Sequence, residues 1–224
     1  LECVPCICVP KGKEEGSSLA LSIVRKALNL DNKEIIEAYF PMRKTRAEFR
    51  GQKAEAEIPH SAFRIPHFWD ETVESILMRL KQGMDVAFIT IGDPAIYSTF
   101  FYLYDRLIEL APDINIEIIP GVSSITAAAS RAKIALGLAD ERIAILPANY
   151  MNNLDETLEM FDTVVLMKVH RVFDNILKVL KSKNLLDKAI YISKAGMDDE
   201  RIFKDITNVH EGDLNYFSMV VIKR

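Results

Sequence analysis

Long apolar runs are missing from this 224-residue chain. Nothing in it approaches the roughly 20 consecutive apolar residues that a membrane-spanning helix needs. Cysteine is scarce too: the three residues, Cys3, Cys6 and Cys8, all fall at the start. An odd count argues against a disulfide framework and suits a reducing compartment. An excess of one charge is also lacking, since the net charge is -4 with both signs scattered along the chain. Such a distribution gives no global field to attract nucleic acid phosphates. Neither G-x-G-x-x-G nor a Walker lysine loop occurs, which excludes the commonest nucleotide-dependent α/β enzymes. The opening LECVPCICVP carries no basic leader followed by an apolar stretch. These absences lead us to expect a cytoplasmic protein with neither membrane nor nucleic acid as partner.

The sequence does hold 49% hydrophobic residues, enough for a sizeable core. Short apolar runs alternate with segments of helical period, the pattern of a parallel or mixed sheet wrapped by helices. Strands are expected near Val4–Val9, Ile35–Phe40, Asp85–Thr90 and Ile114–Ile119. Helices are expected at Ser17–Asn29, Phe68–Gln82, Ala95–Leu110 and Ser123–Ala132. VAFITI, apolar on both alternating sets, reads as a central strand buried on both faces. A second series comes next, with strands near Arg142–Leu146, Thr163–Lys168 and Ala189–Ser193 and helices near Leu154–Met160 and Val172–Lys183. RIFKDITNV and YFSMVVIKR read as a closing antiparallel hairpin. The fold class is therefore α/β in two domains with mixed sheets, 1–135 and 136–224, parting at KIALGLADE. Residues 43–66 are charged and proline-interrupted and read as a long functional loop.

C-x-x-C at Cys3 and Cys6 invites a zinc or redox reading. Against it, VPCICV reads as a buried strand with Cys6 and Cys8 on one face, and no second Cys/His pair completes a four-ligand site nearby. No metal site is assigned.

Chemistry concentrates where strands end. IGDPAIYST follows the VAFITI strand and precedes a helix, at the sheet edge where open α/β folds bind ligands. Gly92 lets a ligand approach the backbone, Asp93 can cap the helix and Pro94 suits its first turn. PGVSSITAAAS repeats the design, with Ser123 and Ser124 where the next helix opens and its backbone N–H groups stand free. Each turn alone is also how a well-capped helix start looks; two at neighbouring strand ends point to a ligand. The ring residues Phe100, Phe101, Tyr102 and Tyr104 read as the buried face of the helix after GDP rather than as a stacking box.

GDPAIYST, PGVSS, LPA at 146–148, LMK at 166–168 and KAG at 194–196, in that order and spacing, resemble the tetrapyrrole methylase family. The Y-S-T ending and the LPA and LMK segments are most similar to the branch acting at ring carbon 20 of precorrin-2 or cobalt-factor II. The resemblance implies two α/β domains with S-adenosylmethionine folded into the cleft between them and S-adenosylhomocysteine as product. It implies cofactor contacts from Gly92, Asp93, Pro94, Ile96, Tyr97, Ser123, Ser124, Ala148, Met167 and Gly196, with Tyr97 positioned at the junction with substrate. It also implies a homodimer. The family opens with a strand and a G-x-G-x-G-D-like loop; neither is in the given sequence, so its first strand is expected to correspond to the family's second.

The implied reaction is in-line displacement at a sulfonium by an electron-rich ring carbon, so the protein need supply alignment and exclusion of water rather than a nucleophile. The implied substrate is an anionic tetrapyrrole in cobalamin biosynthesis, with or without cobalt. Arg43, Lys44 and Arg46 are the candidate clamp on its carboxylate arms; interleaved glutamates leave a solvated face as the competing reading. His60, His67 and His170 are weaker candidates for contact with the macrocycle or its metal. The alternatives are methylation at another ring position, or a non-catalytic protein that binds the same ligands.

Overall fold

The computed structural model describes residues 1–12, 18–40, 69–148 and 153–224. The chain forms two units, Leu1–Gly121 and Val122–Arg224.

In the first unit, β1 (Cys6–Lys11), β2 (Glu34–Tyr39) and β3 (Val86–Phe88) make a parallel sheet in the order β2-β1-β3. The sheet is covered on both faces, and β1 shows why. Its CICV run is wholly buried, and the twofold alternation of a strand sends successive residues to opposite sides. Cys6 and Cys8 join Val73 and Ile76 of α2 (Asp70–Lys81) and Leu103 and Leu107 of α3 (Phe100–Leu110). Ile7 and Val9 pack on the other side against Ala20 and Leu21 of α1 (Leu19–Ala27). Ser18 starts α1 by accepting the Leu21 N–H at 3.4 Å, supplying one orphan donor of the first turn with a partner. Each large side chain so buried contributes about 1.5–3 kcal/mol.

Two expectations fail in this unit. Among the described residues VAFITI is not the central strand: β3 is three residues at the end of the β2-β1-β3 order and half-buried, while β1 takes the centre. Ile114–Ile119 forms no strand. Ile114 and Ile116 do pack on the α2–α3 core, but Ile119 is 72% exposed. An alternating apolar pattern creates a face, and a strand also requires a ladder partner, which this segment does not have among the described residues.

In the second unit, β4 (Ile143–Pro147), β5 (Thr163–Met167), β6 (Ala189–Ser193), β7 (Arg201–Phe203) and β8 (Ser218–Lys223) form a mixed sheet in the order β4-β5-β8-β6-β7. Ile125, Ala128 and Ala132 of α4 (Ser124–Ala132) pack on one face, against Val165, Ile192, Met219 and Val221. Leu158 of α5 (Leu154–Met160) and Phe173, Ile176 and Leu180 of α6 (Phe173–Ser182) pack on the other.

The expected closing hairpin is replaced by a different pairing. β8 is antiparallel to both β5 and β6, and β7 pairs with β6 instead of β8. Ser218–Ile222 are all buried, so this strand stabilises the fold most from the middle of the sheet, and the short, half-exposed β7 takes the edge. The division between the units also falls earlier than 135/136. The apolar face of α4 is buried on the second sheet, so that helix belongs to the second unit. Among the described residues, no helix is long and apolar enough to cross a membrane.

Candidate functional site

The GDP turn leaves the carboxyl edge of the first sheet just after β3. Gly92 takes φ +80, a left-handed conformation that glycine adopts without steric cost. Asp93 then acts twice. Its Oδ1 accepts the Ala95 N–H at 2.7 Å, closing an Asx turn, and its Oδ2 accepts the Gly121 N–H at 3.0 Å. One carboxylate thus joins the GDP turn to the proline–glycine turn. The join is tight: a Cβ built on Gly121 would lie 2.6 Å from the Gly92 carbonyl oxygen. Asp93 does not cap the next helix as expected. α3 begins only at Phe100, whose N–H is accepted by the Ser98 hydroxyl at 3.1 Å. Between them, Ile96 and Tyr97 stand exposed, with Tyr97 at φ +54. A non-glycine residue held there costs about 1–3 kcal/mol, a strain that collects at functional turns.

Ser123 opens α4 and is almost fully buried. Its hydroxyl accepts the Thr126 N–H at 3.2 Å and lies 3.0 Å from the Thr126 hydroxyl, so it is engaged as a helix cap. Ser124, the first helical residue, is exposed.

The remaining sites of the second unit fall along one edge of its sheet. β4, β5 and β6 run in the same direction, so Ala148, Met167 and the KAG segment all lie at carboxyl ends. Ala148 is buried and Met167 half-buried. Gly196 takes φ +78 with nothing within 4 Å of an added Cβ, so glycine serves conformation there, not space. Its N–H donates to Glu200 Oε2 at 2.6 Å, and the Arg131 guanidinium grips the same carboxylate at 2.7 Å. Arg131 first, and then the Gly196 N–H, hold the Glu200 carboxyl below its usual range.

Residues not foreseen as part of the site share these edges. Gly121 closes on Gly92, and the proline–glycine pair it belongs to was the available signal. Lys168 and Lys194 sit in left-handed backbone at φ 58 and 51 directly after β5 and β6. Their N–H groups donate to the carbonyls of Ser218 and Phe217, 2.9 and 2.8 Å away, so both motifs flank the start of β8. No sequence pattern announces that, because it depends on β8 lying between β5 and β6. The expected buried face of Phe100, Phe101, Tyr102 and Tyr104 is not found: Phe101 and Tyr102 are exposed, Phe100 and Tyr104 are half-buried, and α3 buries Leu103 and Leu107 instead. Cys6 and Cys8 are core residues, and burial pushes the Cys8 thiol up to about 12. Arg43, Lys44 and Arg46, with His60 and His67, lie outside the described residues. An open depression of about 640 Å³ bordered by Arg25, Lys26, Asn29 and Asp31 lies at the amino end of β2, the opposite edge from the GDP turn, and holds none of the candidate residues.

Each unit by itself presents backbone amides, glycines and small side chains, with no activated nucleophile among these described residues, which suits holding a ligand rather than attacking it.

Residues 7–209 match the model of a family described as Tetrapyrrole (Corrin/Porphyrin) Methylases. The chain is 31% identical over 217 residues to the cobalt-precorrin-2 C(20)-methyltransferase of Salmonella typhimurium, covering 96% of this chain and 83% of that protein. It is 32% identical over 221 residues to a probable cobalt-precorrin-2 C(20)-methyltransferase of Methanocaldococcus jannaschii, covering 97% and 84%. Among solved structures, a cobalt precorrin-4 methyltransferase superposes with a TM-score of 0.68 at 18% identity, over 98% of this chain and 84% of that one. A uroporphyrin-III C-methyltransferase from Thermus thermophilus complexed with S-adenosylhomocysteine superposes with a TM-score of 0.58 at 14% identity, over 100% and 87%. At those identities the structural likeness carries the fold alone.

Proposed function

The chain belongs to the tetrapyrrole (corrin/porphyrin) methylase family, and on that premise we propose that it is an S-adenosylmethionine-dependent C-methyltransferase. Its substrate in this reading is precorrin-2 or the cobalt-bearing cobalt-factor II, methylated at carbon 20 in cobalamin biosynthesis. Identity to relatives named for cobalt-precorrin-2, over nearly the whole chain, supports this reading and favours the metallated substrate. The observation that carries it is the Asp93–Gly121 hydrogen bond. It makes one continuous backbone surface of two turns that the sequence keeps 28 residues apart.

The residues present fit such a donor. A Cβ cannot be accommodated where Gly121 meets Gly92, Gly92 and Gly196 take backbone angles that bulky residues avoid, and Ala148 is the smallest side chain that keeps a Cβ. S-adenosylmethionine supplies a sulfonium methyl with a built-in leaving group. The chain's own part is to bind, orient and exclude water. In this reading Gly92, Asp93, Pro94 and Ile96 line the donor from the first unit, and Ser123, Ser124, Ala148, Met167 and Gly196 from the second. Tyr97 is the positioning residue next to substrate. Arg43, Lys44 and Arg46 hold the acid arms of the macrocycle by charge-assisted hydrogen bonds. In this reading the protein works in the cytoplasm and, by family analogy, as a homodimer.

The test is incubation of the full chain with methyl-labelled S-adenosylmethionine and each tetrapyrrole, followed by mass and NMR analysis of the product. One labelled methyl at carbon 20 is expected, faster with the cobalt form. Label at another carbon, or none with either substrate, refutes the reading. Charge reversal at Arg43 and Arg46 should raise KM for the tetrapyrrole at least about tenfold with S-adenosylhomocysteine affinity unchanged; an unaltered KM removes the clamp.

A further inference from the structure

The KAG turn after β6 follows a strained path that is held from several sides. Lys194 at φ 51 and Gly196 at φ +78 are both left-handed, and a non-glycine residue keeps such an angle only where its surroundings over-determine it. The Lys194 N–H donates to the Phe217 carbonyl at 2.8 Å, the Met197 N–H to the Lys194 carbonyl at 2.9 Å and the Glu200 N–H to the Met197 carbonyl at 3.1 Å. Lys194 also pairs with Asp199. These bonds fix the two ends of the turn. Its middle is fixed by Glu200, whose Oε2 accepts the Gly196 N–H at 2.6 Å. Arg131, in the last turn of α4, closes on both oxygens of that carboxylate: its Nε lies 2.9 Å from Oε1 and 2.8 Å from Oε2, and its Nη2 2.7 Å from Oε1. The helix that opens at PGVSS is thus tied, at its other end, to a turn 69 residues further along the chain.

Stability alone is a poor account of this arrangement. The Glu200 side chain is 12% exposed and that of Arg131 58%. A covered carboxylate loses hydration that a solvent-screened guanidinium only partly makes good, so the pair adds modestly to folding. What it adds is direction. A forked guanidinium sets the plane of the carboxylate, and the carboxylate sets the tilt of the Gly196 peptide. The other side of Gly196 is open, with nothing within 4 Å of an added Cβ. Because its single N–H is engaged by Glu200, the residue can meet a ligand there by shape and not by donating that bond.

We infer that Glu200 is a positioning residue for the methyl donor: gripped by Arg131, it sets the Gly196 peptide so that the open side of the KAG turn takes S-adenosylmethionine. The inference deepens the methyltransferase reading and rests on it, since that reading lays Gly196 against the donor. Asp93 plays the same part in the first unit, where it accepts the N–H groups of Ala95 and Gly121.

The test measures Kd for S-adenosylhomocysteine by calorimetric titration, KM for both substrates and Tm, in the full chain and in Glu200→Ala, Glu200→Gln and Arg131→Met. Glu200→Ala should raise Kd for S-adenosylhomocysteine and KM for S-adenosylmethionine about tenfold, with KM for the tetrapyrrole within about twofold. Glu200→Gln keeps an oxygen for the Gly196 N–H and should bring both back to within about threefold of wild type. Arg131→Met frees the carboxylate to turn and should weaken donor binding about threefold. Tyr191→Phe, which removes a buried hydrogen bond on the α6 face of the sheet, is the control for lost stability, with lower Tm and unchanged donor affinity. A merely structural Glu200 would behave like that control, and such a result overturns the inference. So does Glu200→Gln binding the donor as weakly as Glu200→Ala, or unaltered donor affinity in Arg131→Met. A wild-type chain that binds no S-adenosylhomocysteine overturns the functional reading and this inference together, whereas wild-type binding with an unaltered Glu200→Ala overturns the inference alone. Should Glu200→Ala fail to fold, Glu200→Asp, one methylene short of the Gly196 N–H, takes its place with the same expected loss.

Discussion

Replacing Gly121 by alanine probes the contact on which the site depends. The new Cβ would lie 2.6 Å from the Gly92 carbonyl oxygen and 3.3 Å from its carbon, and both are backbone atoms with no rotamer to yield. Reaching even the 3.0 Å below which real Cβ atoms are essentially never found means that the two turns part by about 0.4 Å. That movement also lengthens the Gly121–Asp93 hydrogen bond, now 3.0 Å. Overpacking of this kind costs about 1–3 kcal/mol. In a chain of this size each kcal/mol lowers Tm by about 2–4 °C. Because donors that must be aligned to a fraction of an ångström lose their geometry, S-adenosylhomocysteine affinity should fall about tenfold. Gly137→Ala is the control. Its Cβ would meet the Ile143 Cδ1 at 2.8 Å, but that atom is the far end of a side chain 41% exposed, which can rotate away. The control should stay within about 0.5 kcal/mol of wild type with unchanged affinity. Urea unfolding and calorimetric titration read both variants. Equal behaviour of Gly121→Ala and Gly137→Ala in the two assays would refute the reasoning.

Other expectations concern charge, burial and one buried hydroxyl. The Glu200 carboxyl is held below its ordinary value near 4.5, so its pairing with Arg131 and the Gly196 N–H stabilises fully above that value and is lost as pH falls through the lowered one. Glu200→Gln should therefore flatten the acid limb of a stability-versus-pH curve, and an unaltered limb would discard the assignment. Of the three thiols only Cys3 is exposed. Ellman's reagent at pH 8 should therefore find one fast thiol in the native protein and three after denaturation, because burial keeps the Cys8 thiol protonated; more than one fast native thiol would contradict the β1 packing. The wholly buried Tyr191 donates its hydroxyl to the Asp213 carbonyl at 2.8 Å. Tyr191→Phe should cost about 0.5–1.5 kcal/mol by urea unfolding with methyl transfer unaffected, and a neutral result would show that the bond adds nothing.

Much of this molecule was legible because its signals are local. The CICV run is apolar at every position, which gives its burial on both faces, and the strand period gives the shared face of Cys6 and Cys8. Ser123 sits where a helix opens and accepts the N–H expected of a cap. The five short motifs keep an order that carries the family; GDP, LPA, LMK and KAG lie at strand-end edges of their own sheets, while PGVSS follows a segment that forms no strand. The expectations that failed depended on partners far along the chain. Ile114–Ile119 has the composition of a strand and, among the described residues, no ladder to join. VAFITI has the apolarity of a centre and lies at the end of the β2-β1-β3 order. YFSMVVIKR was expected to pair with the run just before it, and is instead inserted between β5 and β6.

Sequence by itself determined which residues turn inward, where helices begin and which turns carry glycine, since each is decided by a side chain and its nearest neighbours. Tertiary structure alone decided that Asp93 reaches Gly121 and that Lys168 and Lys194 flank Tyr216 and Phe217. Such juxtapositions are set by which strands share hydrogen bonds, and a strand's own residues do not encode its neighbour: the backbone groups that make the ladder are the same at every position.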